Sequence, residues 1–276
     1  MIESSPASQP EQHGRCRLCG GRLRFRFELR VRHRHDVGYF YCEQCRSLQT
    51  EPPYWLEEAY ADNNLSHLDT GAAQRCLHNL AACWSISRVL RLNNVLDIGG
   101  GDGLLCRLLR DHEINCFVQD KYAVPTYAQG FTEPDFATPD MVVAFEVLEH
   151  YPEPGKDLDQ LFRHRPRAVL ASTGIFKNEN QDWWYLARQS GQHVFFYSNE
   201  ALALIARKYN YDLLVSGGYQ LFLKQGCYRP VQRALARMLL RSRMRRLSTA
   251  LLVMSSAHGV HKDHLLQIQK SKRRPS

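Results

Sequence analysis

The sequence has no apolar run long enough to cross a bilayer. Its longest such stretches, Leu247 to Ala257 among them, are broken by serines and a threonine and fall short of the roughly 20 residues a spanning helix needs. The opening Met1 to Gly14 also lacks the apolar segment of a signal peptide. It is polar and holds two prolines, so residues 1–14 are expected to form a disordered leader and the protein to be cytoplasmic. Acid is scarce in one region. Residues 229–276 carry 12 Lys and Arg against 1 acid, residues 47–228 carry 15 against 22, and residues 1–46 carry 9 against 5. The central body is therefore acidic and both ends are basic. That distribution argues against a nucleic-acid site on the body and leaves the ends as candidate clamps.

With 276 residues, 44% of them apolar, the chain can build one large core with an appendage. Its nine cysteines do not read as an exported disulfide framework, because four of them form the pairs Cys16-x-x-Cys19 and Cys42-x-x-Cys45 with 22 residues between. Alternating strands near Leu23 to Leu29 and Tyr39 to Tyr41 lie between the pairs. A segment this short cannot stabilise itself, and a structural zinc ion on Cys16, Cys19, Cys42 and Cys45 would supply the missing energy. Four thiolates close the tetrahedron and leave no position for substrate. The remaining Cys76, Cys83, Cys106, Cys116 and Cys227 are expected to be buried reduced thiols. Glu51-Pro52-Pro53-Tyr54 reads as a proline turn entering a helix.

The dinucleotide fingerprint G-x-G-x-x-G is missing, because Leu104 stands where its third glycine belongs. What stands there instead is Asp97-x-Gly99-x-Gly101-x-Gly103, directly after the apolar run Val95-Leu96. Glycines at the end of such a strand let backbone approach a ligand closely. The leading carboxylate would repel phosphate and suits the ammonium of an amino-acid moiety. About twenty residues on, Ile114 to Asp120 reads as a second strand ending in an acid able to accept from a ribose diol. A third strand runs from Pro139 into Phe145-Glu146-Val147-Leu148-Glu149-His150. Helical spacing continues through Ala72 to Leu92, where Arg75 and Asn79 could reach a ligand carboxylate. Strands and helices then alternate to Lys224.

These three motifs, in this order, resemble those of the class I S-adenosylmethionine-dependent methyltransferases over about residues 70–225. The resemblance implies an α/β fold: a doubly wound, mostly parallel, seven-stranded Rossmann-like sheet. To it are added a small zinc-ribbon-like β unit at the N-terminus and a basic helical extension at the C-terminus. It divides the chain into a leader (1–14), a zinc-binding unit (15–50), a methyltransferase domain (51–228) and a basic amphipathic tail (229–276). It implies S-adenosylmethionine as cofactor, bound by Asp97, Gly99, Gly101, Gly103, Asp120, Phe145 and Glu146.

Methyl transfer to a hydroxyl needs a base near neutral pH, for which His150 and then His193 are the candidates. Glu146-x-x-Glu149-His150 also matches a metal-binding triplet of ubiquinone-biosynthesis O-methyltransferases, although many relatives carry these residues without metal. The segments Asp182 to Tyr185 and Gly191 to Ser198 lie where the family places its acceptor, and their Trp, Tyr, His and Gln side chains suit a sugar or an aromatic ring. The four-cysteine unit is similar to that of sugar methyltransferases. The Tyr- and Ser-rich stretch those enzymes carry before the first motif is replaced here by His67-Leu68-Asp69-Thr70-Gly71. The expected acceptor is a small hydroxylated metabolite, a sugar-like glycan or natural-product precursor. The alternatives are an RNA methyltransferase and a catalytically idle binding protein.

In the tail, Arg229, Arg233, Arg237, Arg241 and Arg245 recur every four residues opposite apolar positions, predicting a cationic amphipathic helix after Pro230. A solvated face, a docking helix, contact with anionic lipid at the inner face of the membrane, and RNA contact are all open to it.

Overall fold

The computed structural model describes residues 14–61, 69–255 and 257–272. The expected leader falls almost wholly outside them, as does His67-Leu68 and the end of the tail.

The chain opens with β1 (Leu23–Val31), β2 (His35–Cys42) and β3 (Leu48–Thr50), an antiparallel meander, and then the short helix α1 (Leu56–Ala61). Helix α2 (Ala72–Leu90) leads into β4 (Asn94–Ile98), α3 (Leu104–Asp111), β5 (Asn115–Gln119) and β6 (Met141–Phe145). The single-turn helices α4 (Pro154–Asp157) and α5 (Asp159–Phe162) precede β7 (Ala168–Ser172). The two-residue β8 (Phe195–Phe196), α6 (Asn199–Tyr209), β9 (Tyr211–Ser216) and β10 (Tyr219–Lys224) follow, and α7 (Pro230–Leu239), α8 (Ser242–Met254) and α9 (His258–Lys272) close the chain.

The larger sheet has the order β5-β4-β6-β7-β10-β9. Its first four strands run parallel, and β10 pairs antiparallel with both β7 and β9. Its central strands are buried apolar runs, as a sheet covered on both faces requires: every residue from Met141 to Ala144 and from Ala168 to Ala171 is sealed from solvent. Among the described residues this sheet has six strands where seven were expected. Beyond β5 the chain turns through Pro125 and a 3-10 turn at Thr126–Ala128, then meets β5 where Val118 N–H donates to the Phe131 carbonyl, 3.0 Å away. Pro125, Gly130, Pro134 and Pro139 crowd this stretch, and prolines without N–H donors cannot build an edge ladder.

The smaller sheet crosses the boundary drawn at residue 50. Strand β3 pairs with β8, so a strand from the middle of the α/β portion completes the N-terminal meander. Aromatic packing then joins the two: Tyr39, Trp55, Tyr185 and Phe196 are buried in one cluster.

The tail forms three helices rather than the single cationic helix expected from its arginine spacing. Arg241 is extended, with ψ 143°, and ends the run. The Arg245 guanidinium then donates to the carbonyls of Leu240 (2.6 Å) and Gly217 (2.8 Å), satisfying the end of α7. Cys227 is exposed and Cys76 only partly buried, contrary to the expectation that all five remaining thiols are buried. No helix among the described residues is long and apolar enough to cross a membrane.

Candidate functional site

A cavity of about 830 Å³ opens at the carboxyl ends of β4, β5 and β6, the position in which open α/β sheets bind ligands. The turn after β4 forms its floor. Gly99, Gly101 and Gly103 all have positive φ, which excludes most side chains. They differ in what surrounds them. A Cβ on Gly103 would come within 2.8 Å of the Ala128 Cβ, whereas one on Gly101, which lines the cavity, meets nothing within 4 Å. Gly103 is thus a packing glycine, and Gly101 keeps room for a ligand.

Asp120, at the end of β5, holds this turn. Its Oδ2 accepts from Gly101 N–H (2.9 Å) and its Oδ1 from Tyr122 and Ala123 N–H (both 2.8 Å). A carboxylate offers about four lone-pair sites, so acceptor capacity remains toward the cavity. Asp97 lies beneath the turn, 2% exposed, and its Oδ2 accepts no hydrogen bond from the described residues. Burial and then the neighbouring Asp120 charge push its pKa up to about 7.

On the far wall, Glu146 sits at φ 53°, a strained value for a residue with a side chain. Its N–H donates to the Ser172 carbonyl (3.0 Å), and its Oε1 accepts from Ser172 Oγ (2.7 Å). The Tyr185 hydroxyl lies between two carboxylates, 3.2 Å from Glu146 Oε2 and 2.5 Å from Glu149 Oε1. Glu149 is wholly buried, its Oε2 has no partner among the described residues, and burial with the Glu146 charge raises its pKa to about 8. His150 and His193 stack edge to face, 4.9 Å between centroids. His193 Nδ1 is 2.7 Å from the Tyr185 carbonyl, which only accepts, so Nδ1 carries the proton and Nε2 keeps its lone pair. Burial lowers its pKa to about 4, and burial together with His193 holds that of His150 well below the usual histidine value. Both rings are neutral at pH 7.

A methyltransferase-domain family model matches residues 60–216, more than half of the chain and the whole of this cavity's glycine, acid and histidine turns. The chain belongs to the methyltransferase-domain family. Among solved structures it is similar to the methyltransferase domain of bacterial CtHen1-C (TM-score 0.41, 18% identity, 54% of this chain and 97% of that one). It is also similar to magnesium protoporphyrin IX methyltransferase from Synechocystis PCC 6803 with bound S-adenosylmethionine (0.40, 16%, 55% and 80%). A third is 1,6-didemethyltoxoflavin-N1-methyltransferase from Burkholderia thailandensis (0.46, 13%, 71% and 98%). A search of curated proteins finds no match to this chain.

The protein carries a methyltransferase domain, and the cavity lies within it. S-adenosylmethionine bound there would find room at Gly101, carboxylate oxygens of Asp120 for its ribose, and in its ammonium a cationic neighbour for the unpartnered Oδ2 of buried Asp97.

The methyltransferase also presents four sulfurs together. Cys16 Sγ lies 3.7 Å from Cys45 Sγ and Cys19 Sγ 3.5 Å from Cys42 Sγ, and all four lie within 4.8 Å of one another as free thiols. Four thiolates about 2.3 Å from zinc stand close to 3.8 Å apart, so the knuckles fit a tetrahedral ion.

The sequence candidates divide by position. Gly99, Gly101, Asp120, Glu146 and His150 line the cavity. Asp97 lies below it, Gly103 packs on Ala128, and Phe145 packs edge-on against Tyr219. His193 stands behind His150. The triplet Glu146, Glu149, His150 is not what converges: the ligand-capable atoms within 4.8 Å of one another belong to Glu149, His150 and His193. Arg75 pairs with Asp69, and Asn79 Oδ1 accepts from the Tyr219 hydroxyl, 2.8 Å away. Most of the aromatic segment is core, with Tyr185, Phe195, Phe196 and Tyr197 buried, while Trp184 is 82% exposed. Sequence reasoning missed Tyr60 and Tyr122, whose rings stack 4.0 Å apart on the cavity rim, with the Tyr60 hydroxyl 3.1 Å from His150 Nδ1. No local pattern marks Tyr60. Tyr122 follows Asp120 by two residues and was within reach of the motif.

Proposed function

We propose that this methyltransferase transfers a methyl group to a hydroxyl of a small, sugar-like acceptor, and that the acceptor binds at the His150 end of the cavity. The cofactor supplies an electrophilic methyl group on a sulfonium. The carrying observation is the histidine pair: two neutral imidazoles, His150 lining the cavity and His193 behind it with its tautomer fixed by the Tyr185 carbonyl. A neutral imidazole takes the proton of an attacking hydroxyl, and the chain around it holds the acceptor in line. Gln160 and Gln192 line the same wall and can hydrogen-bond a polyol, and Lys121 and Arg163 there suit an anionic group attached to it. Phe145 and Glu146 complete the cofactor side of this reading, and a structural zinc on the four cysteines holds the N-terminal unit. The test is to follow S-adenosylhomocysteine release over a panel of nucleotide sugars. Turnover that falls about a hundredfold or more in His150→Ala or His193→Ala supports the reading, and full turnover in both variants defeats it.

A second reading has its own observation. Glu149, His150 and His193 converge, and a buried carboxylate oxygen there lacks a partner. A divalent cation would satisfy it and orient the acceptor oxygen. Activity lost on chelation and restored by a divalent ion, with the four-cysteine site still loaded, separates this reading from catalysis by imidazole alone.

A further inference from the structure

Helices α7 and α8 turn apolar side chains outward. On α7, Val231, Leu235 and Met238 recur at i, i+4 and i+7 and are 60%, 40% and 38% exposed. On α8 the same spacing places Leu247, Leu251 and Met254 on one side, at 52%, 49% and 84%. The opposite sides already have partners. Ala236, Leu240, Ser248 and Leu252 are buried, both helices pack on α2, and Ser85 Oγ donates to Ser248 Oγ, 2.8 Å away. A helix docked by one face and held in water by the other ordinarily shows polar residues outward, so these two stripes are apolar surface without a covering element among the described residues.

Charge narrows the occupant. Arg237, Arg241, Arg243 and Arg246 are exposed around the stripes. Asp263, the single acid of residues 229–276, is turned inward: its carboxylate accepts from Arg110 (2.7 Å at both oxygens) and from Arg107 (2.6 Å) on α3. Arg233 pairs with Asp212 of β9 (3.0 Å), but Arg237, Arg241, Arg243 and Arg246 have no ion pair among the described residues, so the outward face is cationic. A second copy would bring the same charge against it. Single-stranded RNA would use aromatic stacking, and residues 229–276 contain no Phe, Tyr or Trp. An anionic lipid surface accounts for both features, because aliphatic side chains enter the acyl boundary while guanidinium groups meet the headgroups.

We propose that α7 and α8 form a docking face for an anionic membrane surface, through Val231, Leu235, Met238, Leu247, Leu251 and Met254 and the arginines beside them.

The test uses the full chain and vesicles of phosphatidylcholine with phosphatidylglycerol, against phosphatidylcholine alone, by co-sedimentation. The wild type is expected to partition onto the anionic vesicles, less so at high salt. The combined Leu247→Ser, Leu251→Ser and Met254→Ser variant is expected to partition about tenfold more weakly. Arg243→Gln with Arg246→Gln should weaken binding and flatten its salt dependence. Those side chains face solvent, so S-adenosylmethionine binding serves as the control for an intact fold. Absence of wild-type partitioning, equal partitioning by the serine variant, or a tail-dependent dimer or RNA complex without vesicle binding overturns the proposal.

Discussion

Arg17 Nη2 donates to the Val194 carbonyl, 2.7 Å away, and so fastens the first cysteine knuckle to the residue that follows His193. The same guanidinium reaches the Pro152 carbonyl (2.9 Å), two residues past His150, and the Thr50 carbonyl (3.0 Å). One side chain of the N-terminal unit therefore ties down both histidine segments. Neighbouring bonds reinforce it: Thr50 N–H to the same Val194 carbonyl (3.1 Å), Trp55 Nε1 to the Gly191 carbonyl (2.8 Å) and Gln192 Nε2 to the Ala59 carbonyl (2.8 Å).

Arg17→Ala removes a donor from each of these carbonyls, although Val194 keeps the Thr50 N–H, and should destabilise the protein by about 1–3 kcal/mol. Hydrogen exchange should rise in residues 188–198 and stay unchanged in β4 and β5. Replacing Cys16 and Cys42 by serine, which would remove the proposed zinc, should produce the same pattern. Uniform exchange across both regions would show that the N-terminal unit does not support the histidines.

The glycine turn separates stability from ligand access. Gly103→Ala should cost about 2–3 kcal/mol, from a positive φ and a collision with Ala128. Gly101→Ala should cost only about 1 kcal/mol in thermal or denaturant unfolding but lower cofactor affinity at least as much as Gly103→Ala does, since Gly101 lines the cavity and its Cβ would meet no protein atom. Equal losses of stability in the two variants would contradict this division.

Asp97 gives the cavity a pH dependence with a definite sign. Its pKa in the folded state is raised to about 7 from 3.8, so its contribution to stability is fully present below 3.8 and is lost as pH rises through about 7. A bound cation favours the ionised carboxylate. Cofactor affinity should therefore rise between pH 6 and pH 8 with release of a proton, and Asp97→Asn should abolish both effects. Calorimetry in buffers of different ionisation enthalpy measures them, and a pH-independent wild type would refute the assignment.

Asp263→Ala removes the partner of Arg110, which is 8% exposed. An unpaired buried guanidinium costs about 3–5 kcal/mol, so α9 should detach from α3 and become susceptible to proteolysis. Arg110 also donates to the Cys116 carbonyl, 2.9 Å away, so the loss should extend to β5.

The parts of this molecule written in local pattern were legible beforehand. Val95 to Gly103 fixed a strand and a turn, Ile114 to Asp120 fixed the neighbouring strand and its acid, and the two C-x-x-C pairs converge as their spacing implied. The Glu149–His150–His193 cluster was only half visible. His193 is brought in by β8 pairing with β3, a contact between residues nearly 150 positions apart, which no window of sequence reports. The missing seventh strand and the three-part tail have the same origin. Prolines deny one ladder its donors, and Arg245 finds carbonyls that end α7, outcomes decided by tertiary partners and not by periodicity.

The most direct measurement is calorimetric titration of the zinc-loaded protein with S-adenosylmethionine and S-adenosylhomocysteine, with Asp120→Ala in parallel. Binding with a Kd of about micromolar order that is lost in Asp120→Ala is the predicted result. A folded wild type that binds neither ligand would contradict the assignment of this cavity to the cofactor.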